Sequence, residues 1–149
     1  CRKNIQSTYP NFNFIHVPLK NDLYTKYSRP ATDFNFPYVN DRFNVAFAFS
    51  VFTHMLPDEV DHYLKEIYRT LSPGGFALLT FFIYPSNDWN ENVGEVFDFN
   101  YHNEGYRLMD QGVKSANVAY EKERLISMCT ENKFEIEHEI QGYDSGTIA

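Results

Sequence analysis

Residues 43–52 (FNVAFAFSVF) form an almost unbroken apolar run, and this run constrains the fold more than any other feature of the chain. A strand with one face in water alternates apolar and polar residues. A continuous run is expected where both faces are covered, as in the parallel sheets of α/β proteins. A second run of this kind, FALLTFFIY, occupies residues 76–84. Between the two, Leu56-Pro57-Asp58-Glu59 marks a helix start, with proline at the first helical position and two acids in the first turn. Val60, Tyr63, Leu64, Ile67 and Leu71 then recur at helical spacing, while Asp61, Lys65, Glu66 and Arg69 take the rest of the surface. Ser72-Pro73-Gly74-Gly75 stops the helix. Strand, amphipathic helix and strand with short connections make a βαβ unit, for which a right-handed crossover is expected.

The flanks read less sharply. Residues 1–7 fit the last turns of a helix, and the alternation of residues 12–19 fits a short strand. Residues 21–41, with Pro30 and Pro37, read as a loop with one helical turn near residues 22–27, pinned by its aromatic side chains. Residues 85–114 read as a long polar and aromatic loop, a kind that is usually functional or partly disordered. A second helix is expected over residues 117–132, with Asn117 as its cap and Asn132 in the left-handed position after it. FEIEHEI at residues 134–140 alternates strictly and predicts a strand with one wet face near a sheet edge. The expected architecture is one α/β domain over residues 1–149, with a mostly parallel sheet of about four strands flanked by helices.

Composition narrows the function classes. A net charge of −7 without a basic cluster argues against a nucleic-acid partner. The apolar runs are too short to span a membrane. Cys1 and Cys129 make neither a disulfide framework nor a metal spacing, so two free thiols are expected, with Cys129 buried on a helix, in a cytoplasmic setting. The start of the chain lacks both a signal-peptide pattern and an initiator Met, which suggests a processed or trimmed chain or a fragment. Five scattered histidines give no triad and no metal site, and Gly74-Gly75, lying after a helix and before a strand, read as turn formers rather than a phosphate loop.

Phe43-Asn44-Val45, then Ser50-Val51-Phe52-Thr53-His54-Met55-Leu56, then the helix, then Leu71-Ser72-Pro73-Gly74-Gly75 and the second apolar run closely resemble class I S-adenosylmethionine-dependent methyltransferases. These pieces match that family's fourth strand, following helix and fifth strand. Residues 9–24 look like its third strand and loop, and residues 117–142 like its penultimate helix and sixth strand, so the resemblance covers nearly the whole chain. It implies a partial Rossmann-like domain, the cofactor S-adenosylmethionine and a small-molecule acceptor. Carried onto this sequence, Ser50, Val51 and Phe52 would meet the cofactor, Thr53, Tyr84 and Trp89 the substrate, and His54 would act as base toward a hydroxyl acceptor. Phe52 also fits the core, His54 a packing role at the helix start, and Trp89 simple loop packing. Asp58 and Glu59 fit the helix dipole.

The chain also departs from the family pattern. The glycine-rich turn and the ribose-binding acid would fall before Cys1; Pro18 and Asn44 stand where the family often has Asp; and a last strand is expected but not found. The chain therefore resembles the C-terminal portion of a methyltransferase and is expected to be inactive in isolation. The alternative is a non-catalytic interaction or oligomerisation module derived from such an enzyme. A nicotinamide dehydrogenase half-domain, a third reading, predicts a glycine fingerprint that the sequence lacks. Open sheet edges leave three outcomes: a piece of a longer protein, closure of the remaining strands, or cover by a second copy.

Overall fold

The computed structural model describes residues 2–84 and 97–140. The βαβ unit is present. Strand β1 (Phe43–Ala48) leads through a short 3-10 turn to helix α1 (Pro57–Thr70), and strand β2 (Leu71–Leu79) returns parallel to β1. Pro57 opens α1, and the Glu59 carboxylate accepts the Leu56 backbone N–H at 2.8 Å. Leu56 has no side-chain acceptor, so this is the glutamate half of a capping box. Val60, Leu64 and Ile67 bury the expected stripe.

The helix-stop signal acts one step later than its sequence suggests. Residues 72–75 form an irregularity inside β2: Phe43 pairs with Leu71, yet Val45 pairs with Phe76. Gly74 has φ +77°, and a Cβ on Gly75 would lie 2.9 Å from the Ser72 carbonyl oxygen and 3.0 Å from that of Asn44. Neither position accepts a side chain without rearrangement.

The sheet differs from the expectation of one mostly parallel set of about four strands. β1 and β2 form a two-stranded parallel sheet. Strands β3 (Phe82–Tyr84), β4 (Tyr101–Asn103), β5 (Tyr106–Leu108) and β6 (Val118–Glu121) form a second sheet in the order β3-β6-β5-β4, in which only β3 and β6 run parallel. The apolar run of residues 76–84 is thus divided between two sheets. At the division Thr80 N–H donates to the Ala48 carbonyl at 3.2 Å, and Phe81 turns inward, stacking on Phe52 with ring centroids 5.1 Å apart.

Three further expectations are corrected. The helix expected over residues 117–132 is strand β6 followed by α2 (Lys122–Glu131). Val118, Ala119 and Tyr120 are fully enclosed between β3 and β5, and burial on both faces overrides the helical reading of a short apolar run. Asn117 therefore caps nothing, and Lys133 (φ +67°), not Asn132, takes the left-handed position after α2. Asn132 instead donates from Nδ2 to Asp61 Oδ1 and to the Met128 carbonyl, each at 2.8 Å. Residues 12–19 and 134–140 join no sheet. Their alternation offers an apolar side, but Phe12, Ile15, Ile136 and Ile140 remain exposed. Of residues 85–114, expected as one loop, those at 101–108 form the β4–β5 hairpin around Gly105 (φ +75°).

The main core joins α1, α2, β6 and the inner face of β1–β2, centred on Phe52, Val60, Leu64, Val118, Tyr120 and Met128. The outer face of β1–β2 is not covered as its apolar run implied. Val45, Phe47, Phe76 and Leu78 are exposed there. Cys129 lies partly buried on α2, where burial pushes its thiol up. No helix among the described residues is long and apolar enough to cross a membrane.

Candidate functional site

The carboxyl end of β1 is the rim at which open α/β sheets bind ligands. Its geometry is tightly set. Ser50 has φ +52°, an uncommon conformation for a non-glycine residue, and its backbone N–H donates to Thr80 Oγ1 at 2.8 Å. This bond ties the end of β1 to the end of β2 and holds the turn that follows. Val51 stays exposed, while Phe52 and Thr53 turn inward and are almost wholly buried. The inward turn of Phe52 follows from its neighbours, since Phe81 and Tyr63 both pack on its ring.

His54 closes the turn. Its Nδ1 lies 2.8 Å from the Ala116 carbonyl oxygen and 3.1 Å from that of Ser115. Both partners can only accept, so Nδ1 carries the proton. In the neutral ring Nε2 is then an acceptor. It faces the Tyr24 hydroxyl at 3.3 Å, with the two rings edge to face at 5.4 Å. The hydroxyl therefore donates to the imidazole. Tyr24 is placed by a built turn: Asn21 Oδ1 accepts the backbone N–H groups of Leu23 and Tyr24, each at 3.0 Å. The Tyr24 side chain is itself exposed.

Beneath the turn, Tyr120 donates its buried hydroxyl to the Met55 carbonyl at 2.7 Å, and burial pushes that phenol far up, which keeps it neutral. Glu59 is nearby; burial, its largest influence, raises its carboxyl above the ordinary value against the pull of the Leu56 N–H. The carbonyls that orient His54 precede β6, and Tyr120 lies on it, so the second sheet fixes the site from below.

The structure thus brings Ser50, Val51 and His54 together at one rim. Phe52 and Thr53 are adjacent in sequence but offer no side-chain surface to a ligand. Tyr84 is buried on β3 among Phe99 and Ala119, with the Arg107 guanidinium 4.6 Å over its ring. Trp89 lies outside the described residues. Sequence reasoning took Tyr24 only as one of several aromatic residues that pin its loop or wall a site, and missed Thr80 and the Ser115–Ala116 carbonyls. Only the Asn21 turn, an Asx pattern, could have drawn attention to Tyr24. Among the described residues no group of three or more His, Cys, Asp or Glu can hold a metal ion.

Residues 18–79 match a family model described as a methyltransferase domain. The matched stretch runs from the Tyr24 turn through β1, the His54 turn and α1 to the end of β2. This stretch of the chain is methyltransferase-like. Tyr24, Ser50, His54 and Thr80 lie inside or next to the methyltransferase-like stretch, whereas the Ala116 carbonyl that orients His54 lies well beyond it. Domains of this kind generally use S-adenosylmethionine. At the described rim the Ser50 N–H and the His54 Nδ1–H are turned to protein partners, so neither is free to hold such a ligand.

Proposed function

We propose that the methyltransferase-like rim is the acceptor end of a small-molecule methyl-transfer site, with His54 as base toward a hydroxyl. The observation that carries this reading is the His54 tautomer. Two backbone carbonyls hold the proton on Nδ1 and leave the Nε2 lone pair directed at a hydroxyl, that of Tyr24. A general base must reach the proton it removes, and here a hydroxyl already donates to Nε2 at 3.3 Å. When an acceptor takes that place, Nε2 accepts its proton, and the Ala116 carbonyl stabilises the ring as it becomes cationic. Ser50 and Val51 line the approach.

The test is a methyl-transfer assay on the full chain with S-adenosylmethionine and a panel of hydroxyl and amine acceptors, beside calorimetry with S-adenosylhomocysteine. Transfer to hydroxyls, reduced about a hundredfold or more in His54→Gln, is the expected result for a general base. Cofactor binding with transfer that ignores His54 would remove His54 from the mechanism. Absence of cofactor binding would end the enzymatic reading for this chain and leave the second one, a non-catalytic assembly module. That second reading is favoured by one observation, the exposed apolar face of β1–β2.

A further inference from the structure

We propose that the outer face of β1–β2 is an interface between two copies of this chain, packed sheet on sheet about a two-fold axis. Val45 pairs with Phe76 and Phe47 with Leu78, so the four share one face, and Phe49 extends it with its ring 5.7 Å from that of Phe47. Their exposures are 45% for Val45, 71% for Phe47, 55% for Phe49, 59% for Phe76 and 46% for Leu78. The opposite face, with Ala46, Ala48, Ala77 and Leu79, packs on the core. Parallel strands occur almost only with both faces covered, so a parallel pair with one bare apolar face calls for an occupant.

Three features point to a second copy. At about 200 Å² for an aromatic side chain, the patch amounts to roughly 500 Å² per copy, so face-to-face pairing buries roughly 1,000 Å², the floor for a specific interface. Neither β1 nor β2 contains a charged residue, although the chain as a whole carries −7. This face is therefore where two acidic molecules meet without opposing like charges. An isologous contact also needs a patch that complements itself, and a flat row of Phe, Leu and Val does so. Phe49 directly precedes Ser50, so the second copy would stand beside the rim that holds His54.

The experiment is sedimentation velocity on the full chain over a wide concentration range, with Phe47→Lys and Leu78→Lys in parallel. The expected result is a concentration-dependent rise from one chain to two, with dissociation strengthened at least about tenfold in both variants. Both side chains are exposed, and an unchanged far-ultraviolet circular dichroism spectrum verifies that the variants fold. A mass of one chain at every concentration overturns the proposal, as does a dimer indifferent to both variants. Open-ended species larger than two overturn it in favour of edge-to-edge pairing through β1. A monomer that fails to bind a hydrophobic dye overturns it too, since another part of the chain then covers the face.

Discussion

His54 and Arg69 show how single side chains fix the region that leads to the rim. Arg69 donates to both carboxylate oxygens of Glu66, at 2.9 and 2.7 Å, and to the carbonyls of Phe36 and Tyr38, at 2.9 and 2.8 Å. Glu66 also accepts the Phe36 N–H at 2.6 Å and is 7% exposed. The pair staples residues 36–40, which lead into β1, onto α1. Arg69→Ala leaves a buried carboxylate without its cation, and a loss of about 3 kcal/mol is expected from urea denaturation. The hydrogen bonds from Arg69 are the main reason the Glu66 carboxyl sits below its ordinary value. The folded state thus binds that proton more weakly than the unfolded state. The associated stability is fully present above the ordinary glutamate range and is lost as pH falls through the lower folded value. Glu66→Gln is expected to flatten the acid limb of a plot of melting temperature against pH, while lowering its neutral region by a constant offset. At the site itself, Tyr24→Phe removes the donor to Nε2. Nitrogen NMR should still find the proton on Nδ1, because the carbonyls of Ser115 and Ala116 hold it there; a proton that moves to Nε2 would contradict the tautomer assignment.

At the scale of elements, α1 was legible because every signal agreed: proline and acids at its start, an unbroken stripe, glycines after it. β6 was illegible because a four-residue stretch with three apolar residues carries no period of its own, and its identity as a strand depends on β3 and β5 on either side. The strand expected at residues 134–140 failed for the converse reason. Its pattern was perfect, but no neighbouring strand among the described residues receives it. Hydrogen exchange separates these outcomes: amides at residues 118–121 should be among the slowest in the chain, and those at residues 135–140 should exchange close to the unfolded rate. The division of residues 76–84 between two sheets was equally hidden, because it depends on Phe81 finding Phe52 and Tyr120 in space. At the candidate site, Ser50 and His54 were legible from the order of motifs in residues 43–56. Their partners, Tyr24, Thr80 and Ala116, were not, since each contact joins residues some thirty or more positions apart. Within β2, Gly75→Ala is expected to cost more than an ordinary glycine-to-alanine change. The added methyl meets the backbone oxygens of Ser72, Asn44 and Phe43, none of which is a side chain that can swing away. A fall in melting temperature of several degrees would register it.

For the whole molecule, the two sheets meet where the candidate base sits. The 3-10 turn belongs to the methyltransferase-like stretch, while the groups that orient it belong to the segment before β6 and to Tyr120. Tyr120→Phe deletes the hydroxyl that satisfies the Met55 carbonyl, and about 1–3 kcal/mol of stability should go with it in a chemical denaturation series. Activity, if the acceptor reading holds, should fall alongside. The His54–Ala116 contact spans 62 positions of sequence, and this has a consequence for how the gene can vary. The approach to Ala116 is an exposed turn, with Asp110 Oδ1 accepting the N–H groups of Gly112 and Val113, and such turns ordinarily tolerate added or deleted residues. Here the length of the turn sets where a carbonyl oxygen stands beneath an imidazole. A library of one-residue insertions and deletions along the chain should therefore find residues 110–114 permissive for folding yet closed to length change wherever His54 is selected for, while the tip of the β4–β5 hairpin stays open.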